Sequence, residues 1–223
     1  MENLLNVLHQ QMVEIIAAHA FYAREHIGKE TIDPRVLDVM GRISRHDFVP
    51  LELTPYAYAD QPLPIGYEKT ISQPFMIALM TDLLQIRDGD RVLEIGTGLG
   101  YHTAILAALT GSGTVYTVEI IEELAEQAHK RLATYQYRNI VTRIGNGESG
   151  WVAHAPFDRI VVCAGVEMIP TTLLMQLAPG GRMVIPTGMP DQQTLMLVEK
   201  GANGRLATRD ILPVRFAMLE TAS

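Results

Sequence analysis

The chain carries one cysteine, Cys163, so no internal disulfide can form and a reducing compartment is expected. It has no apolar run of the roughly 18 residues that a membrane-spanning helix needs, so no membrane partner is expected. It begins Met1-Glu2-Asn3, without the basic stretch of a secretory leader, and the expected location is the cytoplasm. Basic charge is not in excess: the formal charge is −7 and the pI about 5.5, which argues against nucleic acid as a partner. The seven histidines are scattered with no ligand spacing such as H-x-x-x-H, so no metal site is expected. Cys163 closes a Val-rich run and reads as a buried strand residue. Repeats and low-complexity tracts are also missing.

What is present is a chain of 223 residues, 48% hydrophobic, enough to bury one α/β domain with decorations. Its most informative stretch is Arg91-Val92-Leu93-Glu94-Ile95-Gly96-Thr97-Gly98-Leu99-Gly100. This reads as a short buried strand entering a glycine-rich turn. A helical pattern over 101–109 follows, then a strand over 114–119 that ends on Glu119. Such a βαβ unit offers a nucleoside cofactor backbone without side chains, and a carboxylate 19 residues past Gly100 for ribose hydroxyls. The spacing G-x-G-x-G, with Tyr101 next, departs from the dinucleotide fingerprint G-x-G-x-x-G. Glu94 before the turn would repel a diphosphate and favour the sulfonium of S-adenosylmethionine. A plain tight βα turn is the simpler alternative. Glu94, Gly96, Gly98, Gly100 and Glu119 together favour a methyl-donor site, with Thr97 inside the turn.

Residues 1–70 read as a helical extension and connector, and 71–223 as the core, within one structural domain. Leu4, Leu8, Met12, Ile15 and Ile16 give a first apolar face, and Asp33-Pro34 opens a second helix with Val36, Leu37 and Met40 buried. Core packing is the simpler reading of both helices; a lid over the site is the other. Residues 50–70 read as an ordered connector, with Pro50, Pro55, Pro62 and Pro64. Ser72-Gln73-Pro74 opens a further helix. Beyond Glu119 the pattern predicts a helix over 121–135, strands over 140–144 and 157–164, a helix over 169–177 and a strand over 182–186. An antiparallel pair over 194–200 and 206–216 follows, joined at Asn203-Gly204. The expected architecture is a Rossmann-like, mostly parallel, doubly wound sheet with a C-terminal antiparallel hairpin.

The acceptor can be narrowed by what the chain does not carry. The run Cys163-Ala164-Gly165-Val166 stands where a nucleic-acid amino methyltransferase would place Asn/Asp-Pro-Pro-aromatic. Cys163 follows Val162, not the Pro typical of a C5-pyrimidine nucleophile. Catechol-type hydroxyls usually need a metal. A carboxylate ordinarily titrates at about pH 3.3–4.3, so it is already ionised at pH 7 and needs positioning rather than a base.

Several motifs then converge. Asp33-Pro34-Arg35-Val36-Leu37, Arg45-His46-Asp47-Phe48-Val49-Pro50, Tyr58-Ala59-Asp60, Pro64-Ile65-Gly66 and Thr70-Ile71-Ser72-Gln73-Pro74 precede the glycine turn. Pro179-Gly180-Gly181-Arg182 and Leu212-Pro213-Val214-Arg215-Phe216 follow it. From about residue 31 to 219 the chain resembles the protein-L-isoaspartate O-methyltransferases. The resemblance implies methyl esterification of the α-carboxyl of isoaspartyl residues in damaged proteins and peptides. The donor is S-adenosyl-L-methionine and the product S-adenosyl-L-homocysteine; the ester then re-forms a succinimide that can open to normal Asp. It places the active-site serine at Ser72 and cofactor contacts at Asn146 and Gly147. It places substrate contacts at Ile71, Gln73, Pro74, Pro186 and Thr187, with the peptide backbone along 185–188 and 212–216. A monomer is expected. A plain N-cap role for Ser72 is compatible with substrate contact, because a carboxylate at a helix start meets free N–H groups and a positive dipole end.

Two departures bear on function. Asn146 stands where Asp is usual and accepts without charge assistance. Val166-Glu167-Met168 replaces an Ala-Pro-Glu run and bears on substrate selectivity. They keep open a related carboxyl methyltransferase with one dedicated substrate; a non-catalytic adaptor of the same fold is the third reading.

Overall fold

The computed structural model describes residues 2–221; the outermost ends of the expected 1–70 and 71–223 segments, Met1, Ala222 and Ser223, lie outside it. The chain begins with three helices, α1 (Glu2–Tyr22), α2 (Arg24–Ile27) and α3 (Pro34–Arg42). In α1 the buried face is Met12, Ile16 and Ala20, at four-residue spacing; Leu4 and Ile15 of the predicted stripe turn outward. In α3, Pro34 occupies the first turn and the Asp33 carboxylate accepts the Arg35 N–H at 2.8 Å, as the Asp-Pro pair predicts. Val36, Val39 and Met40 point inward.

Two short 3₁₀ turns lead to an antiparallel hairpin, β1 (Leu63–Gly66) and β2 (Lys69–Ile71), inside the stretch read from sequence as connector. Its tip, Tyr67-Glu68, takes positive φ at both residues without glycine or asparagine, so the usual hairpin signal is absent. The helix α4 (Pro74–Leu84) follows and is buried along its whole length.

The main sheet comes next: β3 (Arg91–Ile95), α5 (Tyr101–Thr110), β4 (Thr114–Glu119), α6 (Glu122–Thr134), β5 (Ile140–Ile144), β6 (Phe157–Val162), α7 (Thr171–Gln176), β7 (Leu177–Met189), β8 (Gln192–Lys200) and β9 (Leu206–Val214). The strand order is β5-β4-β3-β6-β7-β8-β9. The pairs from β5 to β7 are parallel, and β7–β8 and β8–β9 are antiparallel. This is the expected Rossmann-like sheet with its C-terminal antiparallel hairpin. The predicted helix over 169–177 is shorter, because Leu177 already enters β7, which continues through Pro179-Gly180-Gly181. Strand order reverses at β3, with β4 on one side and β6 on the other, so a crevice opens at the carboxyl ends of these strands.

The N-terminal helices share their core with the sheet: Met12, Ile16, Val36 and Met40 belong to one apolar cluster with Leu79, Leu106 and Val161. One buried carboxylate pins them. Asp82 of α4 has a 2% exposed side chain, takes both oxygens to the Lys29 ammonium at 2.7 Å and accepts the Asp33 N–H at 2.7 Å. Asp82→Ala is expected to lower unfolding free energy by about 1.5–3 kcal/mol, since the lost bonds are charge-assisted. The readout is a lower urea midpoint at unchanged slope.

Candidate active site

The crevice at the strand ends is the mouth of a cavity of about 850 Å³. Its floor is the turn after β3. Gly96, Gly98 and Gly100 all have positive φ, +95°, +56° and +94°, a conformation that disfavours side chains. Space is also short: a Cβ on Gly96 would lie 3.3 Å from that of Cys163, and one on Gly147 would lie 2.3 Å from Ile95 Cγ2. Gly96, Thr97, Gly98, Glu119, Gly147 and Cys163 line this half of the cavity.

Glu119 ends β4 as predicted and is held by backbone. Its Oε2 accepts the Gly98 N–H at 2.8 Å, and its Oε1 accepts those of Ile120 and Ile121 at 3.0 and 3.1 Å. The carboxylate therefore reaches the cavity in one fixed orientation. Glu94 is placed differently from the expectation. It is fully buried behind the turn rather than on the cavity wall. Its Oε2 accepts the hydroxyls of Thr103 at 2.5 Å and Thr117 at 2.7 Å, while Oε1 has no partner among the described residues. Burial pushes the carboxyl up to about 7; the two threonine bonds act against that, and Glu119 adds to it. Gly100 also lies off the cavity, at the N-cap of α5. Asn146 caps the short turn after β5, its amide oxygen accepting the Glu148 N–H at 2.9 Å with a second lone pair left.

The opposite wall is built from 70–73, from the start of α4 and from residues 212–220. Ile71, Ser72 and Gln73 line the cavity; Pro74 is buried at the first position of α4. Here the N-cap reading of Ser72 is corrected. The N-cap position is Gln73, without a side-chain cap, and the Phe75 N–H is taken from afar by Asp60 Oδ1 at 2.8 Å. Pro74 has no N–H, so the helix start does not offer a ligand the free donors expected at these two positions. Asp60 Oδ2 also accepts the Gln73 amide at 3.0 Å and pairs with His19 at 2.5 Å. The Ser72 carbonyl is held by buried Arg45, whose Nη2 donates to it at 2.8 Å while Nε donates to Ala57 at 2.9 Å. Asp60 and Arg45 thus fix the loop that presents Ser72. The sequence flagged both only inside motifs, because their partners lie 12–41 residues away.

The segment after β9 is strapped to the sheet. Gln193 is buried and grips Phe216 twice, accepting its N–H at 2.7 Å and donating to its carbonyl at 3.1 Å. Gly165 donates to Ala217 and accepts from Leu219, each at 2.8 Å. A Lys69–Glu220 ion pair joins this strap to the β1–β2 hairpin at the rim. Pro186 and Thr187, expected at the substrate, lie off the cavity and pair instead with Val166 and β8, because β7 turns them toward its neighbours. Glu167 and Met168 also lie off the cavity wall.

The tertiary fold also gathers Glu94, His102 and Cys163, whose potential ligand atoms lie within 4.8 Å of one another. No local spacing relates these three residues in sequence. Burial lowers the His102 imidazole to about 3 and pushes the Cys163 thiol up.

A doubly wound sheet with a three-glycine turn after its first parallel strand and a cavity-facing carboxylate at the end of its second defines a Rossmann-like S-adenosylmethionine-dependent methyltransferase. The family profile of the protein-L-isoaspartate(D-aspartate) O-methyltransferases matches residues 22–222, and the chain belongs to this family. It is 56% identical over 217 residues to protein-L-isoaspartate O-methyltransferase 1 of a Polaromonas species, covering 97% of this chain and 91% of that one. Identity to protein-L-isoaspartate O-methyltransferase 1 of Cupriavidus necator is 52% over 209 residues, 93% and 80% of the two chains. The fold matches a Plasmodium falciparum protein solved as a beta-aspartate methyltransferase with S-adenosyl-L-homocysteine, at TM-score 0.80 and 23% identity, over 96% and 99% of the chains.

Glu119→Ala is expected to weaken S-adenosyl-L-homocysteine binding by about 10- to 150-fold, the equivalent of roughly 1.5–3 kcal/mol of charge-assisted bonding. Calorimetry measures this, and unchanged affinity in a folded variant excludes the ribose role.

Proposed function

We propose that the chain transfers the methyl group of S-adenosyl-L-methionine to the α-carboxyl of L-isoaspartyl residues in damaged proteins and peptides, the first step of their repair. One observation carries this reading. In a chain of this family, a single cavity joins the glycine turn and Glu119 on one wall to Ser72 and the strap 212–220 on the other. The donor fits the glycine wall. Gly96, Thr97, Gly98 and Gly147 supply close backbone, and Glu119 the ribose acceptor. Asn146 and Glu94 act from behind, Asn146 as a neutral acceptor near adenine and Glu94 by holding the turn through its threonines.

The chemistry asks little of acid–base groups. A carboxylate oxygen of the acceptor attacks the sulfonium methyl in line; the new O–C bond forms as the S–C bond breaks, and the electron pair leaves on sulfur. The nucleophile arrives ionised, so rate comes from placement. Ser72 is the group we assign to orient the carboxylate, with Ile71 and Gln73 beside it. The strap 212–216 holds the peptide backbone.

The absence of Glu167 and Met168 from the cavity wall supports repair over the dedicated-substrate reading. No described helix is long and apolar enough to cross a membrane. The reading places the enzyme in the cytoplasm, supported by the single cysteine. It takes one chain as the working unit, since residues of this chain wall the cavity.

Two outcomes follow. An isoaspartyl linkage leaves its carboxylate one methylene closer to the backbone than normal Asp does, and a misplacement near 1 Å can cost about 10²-fold in rate. Isoaspartyl peptides are therefore expected to be methylated at least ~100-fold faster than their aspartyl twins across unrelated sequences. Equal rates defeat the repair reading, and activity on one protein alone favours a dedicated substrate. Because Asp60 rather than Ser72 caps α4, Ser72→Ala is expected to change stability by no more than about 0.5 kcal/mol while turnover falls. Full turnover in that variant removes Ser72 from the mechanism.

A further inference from the structure

At the floor of the cavity, three side chains from three elements converge: Glu94 from β3, His102 from α5 and Cys163 just past β6. Methyl transfer as derived above uses neither His102 nor Cys163. Their arrangement is specific. The Thr81 hydroxyl donates to the Ile77 carbonyl at 2.7 Å, a helical back-bond that uses its only hydrogen. At its 2.9 Å contact with His102 Nε2, Thr81 must therefore accept, which assigns the proton to Nε2. The Nδ1 lone pair then faces Cys163 Sγ, 3.5 Å away, and accepts the thiol S–H, the proton that an ion bound between the two would replace. A histidine whose second nitrogen is fixed by a protein acceptor is the usual arrangement of a metal ligand. The 3.5 Å separation also matches tetrahedral zinc, for which bonds of about 2.3 Å to sulfur and 2.0–2.1 Å to nitrogen place the two ligands about 3.6 Å apart.

Glu94 supplies the second, independent observation. It is 0% exposed, its Oε2 is oriented by two threonine hydroxyls, and its Oε1 has no partner. A buried carboxylate oxygen left unpaired is costly, and a cation in contact with it would remove that cost. Cys163 and His102 line the cavity, which gives an ion a way in and an open fourth position. A mixed S, N and O set of this kind suits zinc.

We propose that Glu94, His102 and Cys163 bind a zinc ion, and that its occupation antagonises the methyl donor. The ion site does not depend on the methyltransferase reading; the antagonism rests on it. A divalent charge under the glycine turn opposes a cationic sulfonium, while the neutral thioether of S-adenosyl-L-homocysteine is affected less.

The test titrates Zn²⁺, and Co²⁺ as a spectroscopic substitute, into the full-length protein. Expected are one tight zinc per chain by calorimetry and a near-ultraviolet thiolate-to-cobalt band. Cys163→Ala is expected to abolish the band and weaken zinc binding by at least ~100-fold. Thr81→Val, which keeps volume but frees the imidazole, is expected to cost about 10- to 100-fold. Circular dichroism verifies that each variant is folded, and Cys163→Ser replaces Cys163→Ala if the latter is not. Zinc affinity equal in wild type and Cys163 variants, or cobalt binding without the thiolate band, overturns the site. Zinc is expected to weaken S-adenosyl-L-methionine binding more than S-adenosyl-L-homocysteine binding. If the site holds and donor affinity is unchanged, the antagonism is overturned. Failure of methyl transfer to isoaspartyl peptides would count against the proposed function and leave the cobalt result standing.

Discussion

The hydrogen bond from the Gly98 N–H to Glu119 ties the turn after β3 to the end of β4, and the shape of the cavity depends on it. The turn is made of glycines at positive φ, where the backbone is most costly to order. A fixed carboxylate offsets that cost by taking one N–H from the turn and two from the chain leaving β4. Three donors on four lone-pair sites hold Glu119 firmly and leave acceptor capacity facing the cavity. The surrounding packing is correspondingly tight, with Gly96 against Cys163 and Gly147 against Ile95. The glycine wall is thus preorganised by backbone and one carboxylate.

The opposite wall follows a different rule. Ser72 belongs to a short loop between β2 and α4, and that loop is held by charges brought from the N-terminal segment. Asp60 takes the Phe75 N–H at the start of α4, so capping this helix does not engage the Ser72 hydroxyl. Arg45 holds the Ser72 carbonyl from below. Burying Arg45 is expensive: desolvation pulls its guanidinium down to about 10, with Tyr101, Asp60 and Tyr58 acting against it, and its Nη1 has no partner. A buried charge on a loop carbonyl next to a cavity makes sense as positioning rather than as stabilisation. The first 70 residues therefore do more than cover the core, since the loop presenting Ser72 is built on them.

Behind both walls runs a polar layer of Thr117, Glu94 and Thr103 on one side and Thr81, His102 and Cys163 on the other. Most of its hydrogen-bonding capacity is met, as expected of a buried network. The unmet atom among these side chains is Glu94 Oε1, and a Glu94 carboxylate oxygen lies within 4.8 Å of the His102 and Cys163 ligand atoms. Glu94 was legible in sequence as a chemically significant residue, and its role differs from the one spacing suggested. It faces threonines rather than the cavity, because alternation along β3 turns its side chain away from the turn it precedes.

The sequence alone determined the strands over 114–119 and 140–144 to the residue and placed a strand before the glycine turn, because the runs there are punctuated by Gly96, Gly113, Asn139 and Gly145. It also determined the glycine turn, the carboxylate at Glu119 and the Asp33-Pro34 helix start, since each is a property of a few neighbouring residues. The β1–β2 hairpin escaped because Tyr67-Glu68 holds positive φ against its own preference, in a tight turn closed by the pairing of Gly66 with Lys69. The cap of α4 by Asp60, the grip of Gln193 on Phe216 and the Glu94, His102 and Cys163 cluster were equally hidden. Each joins side chains from separate elements, and their distances follow from strand order and helix packing. Local chemistry fixed what each segment could form; closure of the sheet decided which side chains meet.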